Sequence, residues 1–242
     1  MCGILSSGCA NKGKTATGTI PIPEGYDLLW SDEFDSNELN DQYWSYMIGN
    51  GAEYGNPGWG NGELEYYTDE NTYVKDGSLH IVVKRENKGN FDYTSARIRT
   101  EKKFSFKYGK VEAKIALPEG KGLWPAFWML PEEWVYGGWP DSGEIDIMEA
   151  NGGSLYGTSA ALHFSKVAHQ DTYEYGYHSL DRRNDEKITD NCSMPADFLH
   201  GTGTGLRRAP LQRTPGSRHP RGRGRQVRGR PFLRLLRSPV HL

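Results

Sequence analysis

Short segments in which apolar and polar residues alternate recur along the first two thirds of the chain. Ser78–Lys84 alternates from Leu79 onward and follows an Asp76-Gly77 turn, and Lys110–Leu117 alternates before a proline. A period of two is typical of strands with one buried face, and turn residues separate such runs. No long segment has the 3.6-residue period of a helix. The pattern from Tyr26 to Ala161 therefore predicts an all-β sandwich or barrel.

The length of the chain favours one main domain. A chain of 242 residues is long enough for one all-β domain but short for two domains with separate cores. Aromatic residues make up 12 %, which excludes a wholly disordered chain, and their abundance beside 30 glycines suits a carbohydrate-binding cleft.

Charge is distributed unevenly along the chain. All 31 acidic residues and every lysine precede Leu199, and 11 arginines are the only charged side chains after it. The part before Leu199 therefore has 18 basic residues and a net charge of −13. Because phosphate binding needs clustered Lys and Arg, this acidic part argues against nucleic acid as the main partner.

The composition changes abruptly after Phe198. We divide the chain into a disordered tether at 1–25, a sandwich domain at 26–198 and a basic tail at 199–242. The tail centres on Arg221–Arg230 and cannot build a core. One interpretation is an arginine-glycine arm that binds nucleic acid. Translation in a wrong reading frame explains the simultaneous loss of lysine and acidic residues better. We therefore expect disorder in the tail, apart from one short element that its last apolar run can add.

The first ten residues resemble the end of a bacterial lipoprotein signal. Small residues precede Cys9, as they precede a cysteine that becomes lipidated, but the charged and long apolar regions of a signal are missing. An unstructured terminus is an equally good interpretation. No apolar stretch is long enough to span a membrane, and the scattered Cys2, Cys9 and Cys192 predict neither a disulfide framework nor a zinc site. We expect a protein that is secreted, or lipid-anchored at a bacterial surface.

Three carboxylates alternate with apolar residues in the run that begins at Glu144. In a regular strand Glu144 and Asp146 share a face and Glu149 points to the other side. One bulged residue at Ile147 or Met148 returns Glu149 to the face of the other two acids. Retaining glycosidases use two carboxyl groups roughly 5 to 5.5 Å apart, one as nucleophile and one as acid/base. The spacing is compatible with that chemistry.

Asp146 has its own role in this interpretation. Its carboxyl can hold a neighbouring nucleophile, and crowding of three acids raises the pKa of the most shielded one, as a general acid at neutral pH requires. Two other interpretations stay open, namely a calcium site that includes Asp141 and a merely solvated strand face. Neither accounts for the apolar residues that occupy the other face of the strand.

Several motifs resemble the laminarinase-type branch of glycoside hydrolase family 16. They occur in the order of that family, extend from residue 27 to residue 165 and are highly specific as a set. The motifs are Leu29–Asp35, Gly60–Thr68, Tyr93–Arg99, Trp124–Leu130, Gly138–Pro140 and Gly143–Glu149.

The resemblance implies a jelly-roll β-sandwich of two antiparallel sheets, whose concave sheet forms an open cleft for a polysaccharide. It assigns Glu144 as nucleophile, Asp146 as its helper and Glu149 as acid/base. Met148 is the extra residue of the bulged motif, which is typical of laminarinases and differs from the shorter strand of bacterial lichenases. We therefore predict endo-acting, retaining hydrolysis of β-1,3-glucan by double displacement.

The resemblance also places further side chains on the cleft. The tryptophans are expected to stack on sugars, although a tryptophan is more often a core residue. Each polar position, taken alone, fits an ordinary turn, surface or strand residue equally well. The predicted binding residues are Asn61, Glu65, Arg97, Trp124, Trp128, Trp139 and His163.

The resemblance implies a monomer that binds a β-glucan and requires no cofactor; a structural calcium ion is common in the family, but no complete ligand set can be matched here. Alternative functions are a mixed-linkage β-glucanase, a galactan hydrolase of the same family and a non-catalytic β-glucan-binding protein. Retention of all three acids counts against the last. Because the chain departs from the family pattern after Phe198, we expect a sandwich that lacks its last strands.

Overall fold

The computed structural model describes residues 22–153 and 157–179, and it gives the backbone of two further strands together with the side chain of Leu233. These residues form strands and two short 3₁₀ turns, Ala52–Tyr54 and Pro57–Gly60. The strands are β1 (Asp27–Asp32), β2 (Ser45–Tyr46), β3 (Glu65–Tyr67), β4 (Thr72–Lys75), β5 (Ser78–Ile81), β6 (Tyr93–Ser95), β7 (Ile98–Arg99), β8 (Lys110–Ala116), β9 (Ala126–Met129), β10 (Glu144–Glu149), β11 (Gly157–Val167), β12 (Gln170–Ser179), β13 (Thr189–Pro195) and β14 (Leu233–Arg237).

Two antiparallel sheets of four strands dominate the described part of the chain. One sheet has the order β1-β14-β8-β13 and the other has the order β12-β11-β10-β9. The other ladders are two-stranded pairs, namely β2 with β7, β3 with β6 and β4 with β5. The pair of β3 and β6 is parallel. The all-β class predicted from the alternating pattern is confirmed.

The hydrophobic core lies between the two large sheets. Val111 and Ala113 of β8 belong to one buried cluster with Leu233 of β14 and with Ile145 and Ile147 of β10. Burial of a side chain of this kind contributes about 1.5 to 3 kcal/mol for the larger aliphatic residues. The alternation predicted for β8 is confirmed, because its apolar positions enter the core.

The Asp76-Gly77 turn joins β4 to β5 as predicted. Both residues have positive φ, 53° and 71°, and Lys75 pairs directly with Ser78 across the two-residue loop. Positive φ at both central positions is the signature of a type I′ turn, whose twist matches that of the flanking strands. Gly77 adopts this conformation without steric cost.

The strand predicted to reach Lys84 ends instead at Ile81. The backbone changes partner there, since the amide of Val82 donates to the carbonyl of Asn71 and Lys84 forms an isolated bridge with Thr94. Ile81 and Val83 are consequently exposed, although Leu79 packs against the core. The predicted apolar face is therefore wrong beyond Leu79.

Strand β14 lies in the last apolar run of the basic tail, where the sequence allowed one short element. It is antiparallel to both neighbours, and Leu235 pairs with Trp30 of β1 and with Val111 of β8. The short element that the last apolar run of the tail was expected to be able to add is therefore an inner strand, Leu233–Arg237. Residues 1–21, 196–232 and 238–242 lie outside the described residues, so the tether and the boundary at 198 stay predictions.

Replacement of Leu233 by alanine should lower the free energy of unfolding by about 2 to 5 kcal/mol, because it leaves a cavity where β14 meets the core. Chemical denaturation followed by tryptophan fluorescence measures this change. The matched control is Leu28→Ala on β1, whose side chain is exposed, and it should shift the value by no more than about 0.5 kcal/mol. Equal effects of the two changes would show that β14 does not belong to the core.

Candidate active site

A β-bulge interrupts strand β10. Against β9, Asp146 pairs with Trp128 and Glu149 pairs with Ala126, so three steps along β10 match two steps along β9. The ladder with β11 shifts over the same interval. The extra residue returns Glu149 to the face that carries Glu144 and Asp146. The predicted bulge, and the shared face of the three acids, are confirmed.

The opposite face of β10 is apolar. Ile145, Ile147 and Met148 are all buried, and Met148 is among the most deeply buried side chains that the structure describes. Because the bulge places Ile147 and Met148 side by side, both enter the core. The same strand thus anchors the sheet with one face and presents three carboxyls with the other.

Each outer carboxylate accepts a hydrogen bond from a tryptophan indole. Trp124 Nε1 donates to Glu149 Oε1 at 3.0 Å, and Trp139 Nε1 donates to Glu144 Oε2 at 2.6 Å. The two tryptophans are 56 % and 50 % exposed. They are therefore not core residues, and their rings are free to contact a ligand that lies over the acids.

Asp146 is shielded by its neighbours, in contrast to the two glutamates. It is only 4 % exposed, and His163 Nε2 lies 3.3 Å from its Oδ2. The other ring nitrogen of His163, Nδ1, lies 3.0 Å from Asp171 Oδ2. Burial lowers the pKa of His163, but the hydrogen bond and charge of Asp171, followed by the charges of Asp146 and Glu144, raise it overall. The imidazole therefore favours a cation held between two carboxyls.

Burial, together with the charges of Glu144 and Glu149, raises the pKa of Asp146 to about 7. The expectation that crowding raises the pKa of the most shielded acid is met, but that acid is the central one. Since Asp146 is almost inaccessible, it cannot reach a substrate oxygen, and a raised pKa here does not identify the general acid.

Glu149 combines a raised pKa with access to the cleft. Burial raises the pKa of its carboxyl, the hydrogen bond from Trp124 opposes the shift, and the charge of Glu144 adds to it. A partly exposed carboxyl whose protonated form is favoured can donate a proton to a bound ligand.

Arg97 connects the acids to the neighbouring part of the sheet. Its guanidinium carbon lies 4.4 Å from the ring centre of Trp59 and 4.7 Å from that of Trp128. Its Nη1 is 3.8 Å from Glu63 Oε1. Burial lowers the pKa of Arg97, whereas Tyr67, Glu63 and Glu144 raise it. Because it contacts two indoles, Arg97 holds Trp128 in place beside Asp146.

A tyrosine between two glutamates extends this group. The hydroxyl of Tyr67 is 2.6 Å from Glu63 Oε2 and 3.0 Å from Glu65 Oε1, and burial followed by the bond to Glu63 raises its pKa. Asn61 is exposed and its amide donates to Glu63 at 3.4 Å. Of the predicted polar positions, Arg97 therefore lies beside the acids, whereas Glu65 and Asn61 are linked to it through Tyr67 and Glu63.

Four contact residues were missed by the sequence reasoning: Trp59, Glu63, Tyr67 and Asp171. A signal existed for Glu63, because a buried arginine needs a carboxylate partner and Glu63 alternates with the predicted Glu65 in one motif. No such signal existed for Asp171, whose contact with His163 depends on the register between β11 and β12.

The calcium interpretation finds no support among the residues that the structure describes. Nowhere in 22–153 or 157–179 do three His, Cys, Asp or Glu side chains lie close enough to share a metal ion. Asp141 instead accepts hydrogen bonds from Ser165 and from the backbone of His169, and these bonds lower its pKa. Within the described ranges there is also no helix long and apolar enough to cross a membrane.

Comparison with known proteins identifies the family. Residues 60–211 match the family described as "XgeA-like, catalytic GH16 domain". The chain belongs to glycoside hydrolase family 16. Its fold agrees with this membership, because the structure resembles that of the laminarinase catalytic domain from Thermotoga maritima with a TM-score of 0.66. The two share 41 % identity, over 71 % of this chain and 70 % of the other. The expected jelly-roll β-sandwich is confirmed.

Two curated relatives illustrate the similarity at the sequence level. A glucan endo-1,3-beta-glucosidase A1 from Niallia circulans is 42 % identical over 159 residues, which cover 61 % of this chain and 23 % of the relative. A beta-glucanase from Rhodothermus marinus is 45 % identical over 148 residues, which cover 59 % of this chain and 49 % of the relative. The chain thus spans half or less of the length of these relatives.

The raised pKa of Asp146 predicts how stability depends on pH. Because the folded chain binds this proton more tightly than the unfolded chain, whose carboxyl titrates near 3.8, stability falls as pH rises from 4 to 7. Asp146→Asn should remove this contribution, roughly 1.4 kcal/mol for each tenfold difference in proton affinity between the folded and unfolded chains. Urea denaturation of both proteins between pH 4 and 8 tests it. The parent's free energy of unfolding minus that of Asp146→Asn should decrease as the pH rises from 4 to 7. A difference that does not change with pH would show that the pKa of Asp146 is not raised by folding.

Proposed function

We propose that this chain is an endo-acting hydrolase of β-1,3-glucan that works with retention of configuration. The observation that carries the proposal is the bulge in β10, which gathers Glu144, Asp146 and Glu149 on one face beside exposed tryptophans. The names of the relatives, a laminarinase and a glucan endo-1,3-beta-glucosidase, support the substrate.

In the first step Glu144 acts as nucleophile and Glu149 as general acid. A carboxylate oxygen of Glu144 forms a bond to the anomeric carbon, while Glu149 gives its proton to the glycosidic oxygen. The bond between that carbon and that oxygen breaks, and the reducing-end part of the glucan leaves. The partly exposed Glu149, with its raised pKa, suits the acid role.

In the second step Glu149, now a carboxylate, removes a proton from water. The oxygen of that water attacks the anomeric carbon from the side that the leaving group vacated, and the ester with Glu144 breaks. Two inversions give net retention. The indole N–H groups of Trp124 and Trp139 hold the two carboxyls in position for both steps.

Asp146 positions the nucleophile rather than touching the substrate. The carboxyl of Asp146 hydrogen-bonds Glu144, and its raised pKa favours the protonated form, which can donate that bond. His163 and Asp171 fix Asp146 from the other side. Glu144 is thereby kept as an oriented carboxylate, which is the form that attacks carbon.

The charges around the acids favour a neutral polysaccharide. On the outward face of β9–β12, His163 is the one cationic side chain that the structure describes, and two carboxyls hold it. Arg97, which approaches the same face, is paired with Glu63. A sulfated or uronic-acid polymer would meet carboxylates here without free cations. This arrangement favours a glucan over an anionic galactan.

The alternatives differ in linkage and in catalysis. A mixed-linkage glucan is also neutral, so the charges do not separate it from β-1,3-glucan, and the bulged motif is what favours the latter. A β-glucan-binding protein would gain nothing from three crowded acids, whose mutual repulsion costs stability. The hydrogen bonds that orient each acid therefore favour catalysis over binding alone.

Location, assembly and cofactors follow from the proposed substrate. A polysaccharide is met outside the cell, so we propose a secreted or surface-anchored bacterial protein; Cys9, the candidate for lipidation, lies outside the described residues. We propose that it acts as a monomer, since the three acids come from one strand of one chain. The proposed reaction requires no cofactor, because carboxyl groups supply both the nucleophile and the proton.

Early products released from laminarin should carry the β configuration at their new reducing ends. The reason is that the two displacements on Glu144 cancel each other's inversion. Proton NMR of the anomeric region, recorded within minutes of mixing and before mutarotation, measures this. Release of the α anomer first would mean single displacement and would refute the assignment of Glu144 as nucleophile.

Glu149→Ala should reduce turnover of laminarin about 10²- to 10⁴-fold, because the leaving oxygen loses its proton donor. Azide should restore turnover of an activated aryl laminaribioside, since that leaving group needs no acid and azide needs no base. The product should be the β-glycosyl azide.

Glu144→Ala and Glu174→Ala provide the controls for this rescue. Glu144→Ala should lose turnover while still binding laminarin, and Glu174→Ala should behave like the parent because Glu174 lies on the other face of β12, opposite Leu162. If Glu144→Ala instead gives the β-glycosyl azide and Glu149→Ala gives the α-glycosyl azide, the two roles are reversed.

A further inference from the structure

Strand β12 carries a tyrosine at every second residue over 173–177, and this row of three tyrosines lies on the outward face of the strand. Tyr173, Tyr175 and Tyr177 are 59 %, 73 % and 63 % exposed. Tyrosine rings are large, and leaving three of them in water on adjacent positions of one strand forgoes considerable hydrophobic stabilisation. Within the described part of the chain, β12 is an edge strand, and it pairs with β11 alone.

The register of the sheet places these tyrosines on the face of the candidate active site. Tyr175 pairs with Ala161 of β11, and Ala161 pairs with Asp146 of β10. Tyr177 pairs with Ser159, which in turn pairs with Glu149. Directly opposite residues in antiparallel strands point to the same side. The tyrosines therefore stand two strands, about 10 Å, from the acids.

Aromatic contacts connect this row to the acids without a gap. The ring centre of Trp139, which donates to Glu144, lies 5.9 Å from that of His163. The ring of His163 lies 5.8 Å from Tyr173, and Tyr173 lies 6.2 Å from Tyr175. One continuous aromatic surface thus runs from the nucleophile position to the edge of the sheet.

Gly157 makes room for the last ring of the row. A Cβ atom at Gly157 would lie 2.3 Å from the ring of Tyr177, which is closer than any real side-chain contact. The glycine therefore leaves room for the tip of the Tyr177 ring beside β11, and a larger residue at position 157 would displace it.

The chemistry of the row fits an uncharged sugar chain. A tyrosine offers a flat apolar ring to the C–H face of a pyranose and a hydroxyl to its hydroxyl groups. The nearest charged side chain on the row is Asp171, and no cation is described on it apart from His163, which Asp171 holds. An anionic ligand would therefore be repelled.

We propose that Tyr173, Tyr175 and Tyr177 form a sugar-binding platform that holds glucan units beyond those that contact Glu144 and Glu149. The identity of the ligand as a neutral β-glucan rests on the proposed function. The platform makes the protein select for long chains, because a disaccharide at the acids does not reach β12.

The test compares a double variant, Tyr175→Ala with Tyr177→Ala, with the parent on long and short substrates. Tyr173 is left intact because it contacts His163. The KM for laminarin should rise about 10-fold, as expected for loss of two stacking contacts. Hydrolysis of an aryl laminaribioside should be unchanged. No change on laminarin, or an equal loss on both substrates, would overturn the platform.

Affinity electrophoresis in gels that contain laminarin gives a second readout that needs no turnover. The parent should be retarded, the alanine double variant should migrate faster, and the matching pair Tyr175→Phe and Tyr177→Phe should stay retarded because it keeps both rings. Tyr73→Ala, an exposed tyrosine on β4 outside this sheet, should migrate like the parent. A parent that laminarin does not retard would overturn the platform.

The two proposals fail in different ways. If the parent is retarded by laminarin through the tyrosines but releases no product, the platform stands and the hydrolytic function falls. If the parent hydrolyses laminarin and the double variant does so with the same KM and the same retardation, the function stands and the platform falls.

Discussion

The bulge in β10 is the constraint on which the described structure depends. Without the extra residue, Glu149 would turn into the core and Met148 would turn out of it, since a strand alternates sides at every residue. With it, three acids share the open face while Ile145, Ile147 and Met148 fill the space beneath. One irregularity therefore satisfies packing and chemistry together. A regular strand with this sequence could satisfy only one of the two.

Gathering three carboxyls on one face creates a repulsion that other elements must offset. The sheet offsets it with position-specific partners rather than with an excess of positive charge. His163 contacts the most shielded acid, and Trp124 and Trp139 donate neutral hydrogen bonds to the outer two. Neutral donors orient a carboxylate without neutralising it, so the glutamates keep the charge or the proton that each proposed role requires.

Local patterns predicted the local structure well. The Asp76-Gly77 turn, the alternation of β8 and the bulge each follow from a few adjacent residues, because backbone geometry ties a short sequence to a short structure. Family similarity added Trp124, Trp139 and Arg97. What failed depends on distant partners. Ile81 lost its expected burial when the backbone changed neighbours, and the contact between Asp171 and His163 needed the register of a hairpin that no sequence pattern sets.

Strand β14 has a consequence for the order in which the protein folds. Strand β1 pairs with β14 and with no other described strand, although about two hundred residues separate them along the chain. During synthesis, β1 therefore emerges about two hundred residues before the strand with which it pairs. Strands that are so far apart in the sequence pair slowly, because the chain loses the conformational entropy of the long loop before the contact stabilises it. Until β14 has been made, β1 exposes an edge that lacks this partner, and an unpaired edge of that kind favours aggregation.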